Sequence, residues 1–128
     1  MSDFDFGAHK VLVCDCDLDA IDITRTTYEE AGIGKYVATP DPDEALNLVS
    51  EIKPNLVLMA LKFPDANGIE VIQKLRALND GEFYKTPVLM LLEKVSPNLL
   101  REACRAGIEG ALRKPIGPEK VRRFTRAV

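Results

Sequence analysis

The chain has 128 residues, with 17 lysines and arginines against 20 aspartates and glutamates, and a formal net charge of −3. This length corresponds to about one domain with a sizeable hydrophobic core, so the fold needs no disulfide staples. The three cysteines are too few for a disulfide framework, the first residues MSDFDFGAHK lack the apolar core of a secretory signal, and no stretch has the length of a membrane span. We therefore expect a cytoplasmic protein.

Short apolar runs alternate with segments of helical periodicity along the whole chain. Beginning with a strand, the alternating strands and helices are predicted at residues 10–14, 20–31, 35–38, 44–52, 56–61, 69–78, 88–92, 99–106, 110–112 and 120–128. Strict alternation favours parallel strands joined by right-handed crossovers, with helices on both faces of the sheet. The predicted fold is a doubly wound α/β fold of three layers, with a five-stranded parallel sheet and five helices, in a single domain over residues 1–128.

Residues at the predicted boundaries support these elements. Asp41 and Ser96 are each followed by a proline, which is the pattern of a capping residue with proline in the first helical position. Gly32 and Gly107 follow helical segments that end in alanine, where a left-handed residue commonly ends a helix. The boundaries therefore agree with the alternation read from the apolar residues.

In a doubly wound sheet, ligands bind at the carboxyl ends of the strands, near the point where the strand order reverses. The residues that end or directly follow four of the predicted strands are Asp15, Ala60, Leu92 and Lys114. We expect a functional site to be built at the edge that these four residues share.

Several motifs resemble the response-regulator receiver domain of two-component signalling, over nearly the whole chain. They lie in the segments PNLVLMALKFPDANGIE and AGIEGALRKPIGPEKV, and an acid follows the first strand. The most specific parts are Pro64 followed by Gly68, the pair Ala106-Gly107, and the pair Lys114-Pro115. The resemblance implies the flavodoxin-like arrangement of alternating strands and helices, and a cis peptide bond at Lys114–Pro115.

The chain departs from the family at the residues that carry phosphoryl transfer. In the family, an acid pair after the first strand and an aspartate that ends the third strand hold a divalent cation, and that last aspartate accepts the phosphoryl group. Here the acid pair corresponds to Asp15 and Cys16, and the acceptor position is Ala60, which has no nucleophilic atom. Asp17 keeps a charge nearby, so Asp15 and Asp17 are the remaining candidate metal ligands. Two carboxylates and a sulfur make a poor magnesium cage, and we expect no cofactor.

Two more family positions have lost their polar or aromatic side chains. The hydroxyl that ends the fourth strand in the family corresponds to Leu92, and the aromatic residue on the fifth strand corresponds to Ala111. The family's lysine is present as Lys114, and its nearest plausible partner is Asp15, in an ion pair that we expect at a partly exposed rim. We therefore interpret the segment DCDLD as the remnant of an acidic pocket that is partly filled with apolar side chains.

Other chemistry remains open at this stage. A receiver could use a displaced acceptor, at Asp15, Asp17 or Asp65. Asp15 and Asp17 also have the Asp-x-Asp spacing of haloacid-dehalogenase-type phosphatases, with Lys114 as the lysine of that family. That family also needs a small hydroxyl residue after a middle strand, where this chain has Leu92, and a late acidic pair, which this chain lacks. The pair Cys14 and Cys16 has no set of further Cys or His residues to form a soft-metal site.

Charge is distributed unevenly along the chain, because most acids precede residue 61 and the last third is basic. In the receiver family, the face of the fourth helix, fifth strand and fifth helix carries dimerisation and output contacts. The resemblance makes Arg101, Arg105, Lys120 and Arg123 the candidates for such a face. We expect a non-enzymatic, non-phosphorylatable adaptor that contacts signalling proteins, such as a histidine kinase or an output protein, or forms a homodimer. Nucleic acid is not favoured, because no DNA-reading motif appears.

Overall fold

The structure is a computed structural model and describes residues 4–128. Its strands and helices alternate as follows: β1 Lys10–Cys14, α1 Leu18–Glu30, β2 Lys35–Thr39, α2 Pro42–Ile52, β3 Leu56–Ala60, β4 Lys62–Phe63, β5 Ala66–Asn67, α3 Gly68–Ala77, β6 Val88–Leu92, α4 Pro97–Ala106, β7 Gly110–Arg113 and α5 Pro118–Ala127. Short 3-10 turns lie at Phe6–Ala8 and Leu78–Gly81.

Five strands form one parallel sheet in the order β2-β1-β3-β6-β7, and every neighbouring pair is parallel. The central strands β3 and β6 are buried along their whole length. Because successive side chains of a strand point to opposite faces of the sheet, they contribute to two separate hydrophobic cores. Met59 packs with residues of α2, α3 and α4, whereas Leu58 packs with residues of α1 and α5. The predicted three-layer α/β fold is therefore confirmed.

Four helices begin two residues before their predicted starts. Helices α1, α2, α4 and α5 begin at Leu18, Pro42, Pro97 and Pro118. The spacing of apolar residues does not indicate where a helix begins, because the residues of the first turn face solvent and are typically capping residues or proline. Asp41 accepts the N–H of Asp43 at 2.9 Å, and the hydroxyl of Ser96 accepts the N–H of Leu99 at 3.2 Å.

The chain between β3 and α3 holds an element that was not predicted. Strands β4 and β5 pair antiparallel as a small hairpin, with Lys62 opposite Asn67 and Phe63 opposite Ala66. Runs of two residues are too short for any apolar periodicity, so this segment reads as loop in the sequence. The left-handed residues expected at Gly32 and Gly107 are present, with φ of 79° and 104°, and the Lys114–Pro115 bond is cis.

Candidate functional site

The carboxyl end of β1 fixes the backbone of the acidic segment DCDLD. The backbone N–H of Asp15 continues the pairing with β2 by donating to Thr39 at 3.1 Å. The Asp15 side chain is only 1% exposed, and its Oδ1 accepts the N–H of Asp17 at 2.9 Å. Asp17 in turn caps α1, because its Oδ1 accepts the N–H of Asp19 at 3.0 Å. The segment is thus held as a tight turn that leads from the sheet into the helix.

Lys114 reaches from the end of β7 into this turn. Its Nζ lies 2.8 Å from Oδ2 of Asp15 and 3.2 Å from Oδ2 of Asp17. The expected pair of Lys114 with Asp15 is therefore present, and Asp17 is a second partner. The exposure expected at a partly exposed rim is seen for the two outer members, since the side chains of Lys114 and Asp17 are 12% and 38% exposed, whereas that of Asp15 is 1% exposed.

The ion triad shifts the protonation of two of its members. Burial of the ammonium would lower the pKa of Lys114, but the contacts with Asp15 and Asp17 outweigh it and raise that pKa above its ordinary value. Partial burial would raise the pKa of Asp17, but Lys114 and the backbone N–H groups of the helix cap lower it below its ordinary value. Both shifts favour the charged forms of Asp17 and Lys114 near neutral pH, so these two side chains form an ion pair.

The residues at the family's other pocket positions are apolar and mostly buried. Ala60 and Leu92, which end β3 and β6, are 1% and 2% exposed. Ala111 is half-buried and packs against the core on the α4 side of the sheet. Cys16 is exposed, and its thiol makes a weak contact of 3.8 Å with the backbone oxygen of Lys62.

An open cleft of about 520 Å³ lies beside the triad. Its walls are formed mainly by the apolar side chains of β6, of the loop after β6 and of the first turn of α4, with charged residues at its edges: Asp15, Cys16, Asp17, Leu61, Lys62, Leu91, Leu92, Glu93, Lys94, Val95, Ser96, Leu99 and Lys114. Leu92, at the position of the family's hydroxyl residue, lines the cleft, and open volume remains beside it. No pattern in the sequence indicated that Val95 and Leu99 line the cleft, because the order of strands and helices alone does not reveal which loop borders it.

The β4–β5 hairpin folds back onto the end of β3. The N–H of Gly68 donates to the oxygen of Leu61 at 2.7 Å, and a Cβ at Gly68 would lie 1.9 Å from the oxygen of Ala60. This close approach explains the glycine of the Pro64–Gly68 motif. Asp65 is exposed between the two strands and lines a different cleft, together with Asp41 and Asp43 of the β2–α2 segment.

The four basic residues of the expected partner face lie on the outer surfaces of two helices. Arg101 and Arg105 are exposed on α4, and Lys120 and Arg123 are exposed on α5. Within residues 4–128, none of the four forms an ion pair with an acid. The Arg101 guanidinium contacts the Asn98 side chain, and the Arg123 guanidinium lies 5.5 Å from the ring of Phe124. Most of the positive charge is therefore available to a partner.

The donor set beside the cleft does not fit a divalent cation. In the described part of the chain, no group of three or more His, Cys, Asp or Glu side chains is placed to hold a metal ion. The carboxylate oxygens nearest to such a position, on Asp15 and Asp17, face the ammonium group of Lys114. No helix between residues 4 and 128 is long and apolar enough to cross a membrane.

Comparison with known proteins identifies the class of this fold and site. The family model of the response regulator receiver domain matches residues 11–126. The chain therefore belongs to the response regulator receiver domain family. The structure is similar to that of the chemotaxis protein CheY4 of Vibrio cholerae, with a TM-score of 0.87 at 26% identity, covering 94% of this chain and 98% of that one.

Curated relatives differ in how much of their length this chain spans. An uncharacterized 14.6 kDa protein in the sodA1 3' region of Leptolyngbya boryana is 32% identical over 84% of this chain and 80% of its own length. The DNA-binding response regulator MtrA of Mycobacterium leprae is 30% identical over 88% of this chain, but the match spans 47% of MtrA. For Protein RcaC of Microchaete diplosiphon, at 28% identity, the match spans 18% of that protein.

Proposed function

We propose that this chain is a pseudo-receiver, a receiver domain that is not phosphorylated and acts as a protein–protein adaptor in signal transduction. The observation that carries the proposal is Ala60, which ends β3 at the position of the family's phosphoryl acceptor. A methyl group cannot form a covalent phosphoryl intermediate. Without that intermediate, a change of state has to come from partner or ligand binding with different affinities for the two states.

The displaced acceptors have little structural support. Asp15 is buried in its contact with Lys114, and Asp17 is engaged by Lys114 and by the α1 cap. Asp65 is exposed, but it lies on the hairpin, in a cleft that Lys114 does not line. An acceptor needs an oxygen that is both accessible and placed beside the lysine that neutralises the phosphoryl charge. Asp15 lacks the access, Asp17 is held by its cap and its ion pair, and Asp65 lies away from Lys114.

An aspartate-dependent phosphatase is also disfavoured. Asp15 would be its nucleophile, and this side chain is 1% exposed. The family model that matches residues 11–126 is that of the receiver domain. The adaptor proposal therefore carries no enzymatic activity and no resident cofactor.

The partner surface in this proposal is the basic face of α4, β7 and α5. Its exposed residues Arg101, Arg105, Lys120 and Arg123 would meet an acidic surface on a histidine kinase, on an output protein or on a second copy of the chain. We place the protein in the cytoplasm, because Cys14, Cys16 and Cys104 are free thiols, as is usual in a reducing compartment.

Quantitative cross-linking of the tagged chain in its own cells tests the adaptor role. We expect Arg123→Glu to lose specific cross-links to a signalling protein, since charge reversal turns attraction into repulsion. Lys35→Glu is the control, because Lys35 is an exposed base on β2 at the far edge of the sheet. Asp15→Asn should leave the cross-links nearly unchanged, and their loss in that variant would show that the old pocket is still in use.

A further inference from the structure

The cleft beside Lys114 has the position and size of a small-molecule site. It lies at the carboxyl ends of β1, β3 and β6, where the helices of neighbouring strands leave on opposite faces of the sheet. Its volume of about 520 Å³ lies within the range of roughly 300–1,000 Å³ that is typical of ligand pockets.

The cleft walls present carbon where the family has reactive groups. The apolar residues that line it are Leu61 after the end of β3, Leu91 and Leu92 at the end of β6, Val95 in the loop after β6 and Leu99 in the first turn of α4. Such a surface gains free energy by excluding water, at roughly 25 cal/mol per Å² of apolar area buried. The site is therefore built for apolar contact rather than for a phosphoryl group.

The charges at the edges of the cleft balance one another. The lining includes three acids and three lysines, namely Asp15, Asp17 and Glu93 with Lys62, Lys94 and Lys114. A lining without net charge favours neither an anion nor a cation. Oδ2 of Asp15 is buried against the Lys114 ammonium, but the Asp17 side chain is 38% exposed, and its Oδ2 lies 3.2 Å from the same ammonium. The Asp17 carboxylate can therefore accept a hydrogen bond from a neutral donor in the cleft.

We propose that the cleft binds a neutral, apolar organic molecule of the size of an aromatic compound that carries one hydrogen-bond donor for the Asp17 carboxylate. This proposal does not depend on the basic partner face, which lies on other surfaces of α4 and α5. It gives the receiver fold an input site that needs neither phosphate nor metal.

The probe for this site is N-phenylnaphthylamine, a neutral dye with one N–H group whose fluorescence rises in apolar surroundings. We expect a saturable rise in fluorescence with the unmodified chain. Leu99→Gln should weaken dye binding about tenfold, which corresponds to about 1.4 kcal/mol. Leu100→Gln is the matched control, because Leu100 is a half-buried leucine on the same helix that does not line the cleft.

The native cysteines give a second, independent readout. Cys16 lines the cleft and is exposed, whereas Cys104 is exposed on α4 and lines a different pocket. We expect bound dye to slow alkylation of Cys16 and to leave the rate at Cys104 unchanged, as followed by peptide mass spectrometry.

Several results would overturn the proposal. They are a fluorescence rise that does not saturate, equal losses of dye affinity in Leu99→Gln and Leu100→Gln, and no slowing of Cys16 alkylation by the dye. Protection of Cys16 that grows with protein concentration and without dye would indicate a second copy in the cleft, and would also overturn it. If Leu99→Gln fails to fold by circular dichroism, Val95→Gln replaces it, because Val95 lies in the exposed loop after β6.

Discussion

The ammonium group of Lys114 lies 2.8 Å from the carboxylate of Asp15 and ties the loop after β7 to the end of β1. In the receiver family, the resemblance assigns this lysine to the aspartate that carries the phosphoryl group. Here that position is Ala60, and Lys114 instead neutralises the acids that remain. The contact holds the loop after β7 against a buried carboxylate, which gives the lysine a structural role at this edge of the sheet.

Removing the positive charge should therefore destabilise the fold. Lys114→Met leaves the Asp15 carboxylate buried without its counter-ion, and we expect a loss of up to about 3 kcal/mol in the free energy of unfolding at neutral pH. Urea unfolding followed by circular dichroism measures it. The double variant Lys114→Met with Asp15→Leu should recover much of the loss, because both charges are then gone. A loss below about 0.5 kcal/mol in the single variant would show that the pair adds little.

Substitutions at Asp17 separate its cap from its charge. Asn is as good a helix cap as Asp, so Asp17→Asn should remove only the contact with Lys114 and cost at most about 1 kcal/mol, since the Asp17 side chain is 38% exposed. Asp17→Ala should cost about 1 kcal/mol more, through loss of the cap. Thermal unfolding of the three proteins compares them. Equal stability of the Asn and Ala variants would contradict the capping role.

The pH dependence of the Asp17 effect has a definite sign. The pKa of Asp17 is lowered in the folded state, so its contribution is present above the ordinary aspartate range and is lost as the pH falls through the lowered value. The difference between wild type and Asp17→Asn should therefore vanish in acid. At high pH the stabilisation by the ion pair is lost when Lys114 gives up its proton. Because the pKa of Lys114 is raised in the folded state, this happens as the pH rises through that raised value.

The cysteines should react in two classes. Burial raises the pKa of the Cys14 thiol to about 12, so this residue stays protonated and enclosed in the folded protein. Cys16 and Cys104 are exposed. A chromogenic disulfide reagent at mildly alkaline pH should titrate two thiols in the native protein and all three after unfolding in urea. Rapid reaction of Cys14 in the native protein would mean that the structure around the end of β1 opens readily.

Gly68 should be the glycine that tolerates a side chain least. Its Cβ would lie 1.9 Å from the oxygen of Ala60, so Gly68→Ala has to displace backbone at the end of β3. We expect a loss of about 1–3 kcal/mol in the free energy of unfolding, typical of overpacking. Gly117→Ala is the control, because nothing lies within 4 Å of a Cβ there. Equal losses of stability in the two variants would show that the backbone around Gly68 shifts at little cost in free energy.

The sequence was sufficient for the sheet and its helices, because each strand carries an apolar run and each helix an apolar face. It predicted the contact of Lys114 with Asp15, since both residues end strands at one edge. It did not predict that Asp17 shares the lysine, or that Asp15 is buried, because both depend on the path of the turn after β1. The cleft wall at Val95 and Leu99 was missed for the same reason, since a loop path is set by tertiary packing.

The measurement that tests the central claim most directly is the intact mass of the protein after incubation with acetyl phosphate and magnesium, with the remaining acetyl phosphate assayed in the same sample. The pseudo-receiver account predicts no added phosphoryl group and no consumption above the blank. The Ala60→Asp variant, which restores the acceptor position, is measured in parallel. An adduct on the wild-type chain, or catalytic consumption without one, would contradict the account and assign chemistry to Asp15 or its neighbours.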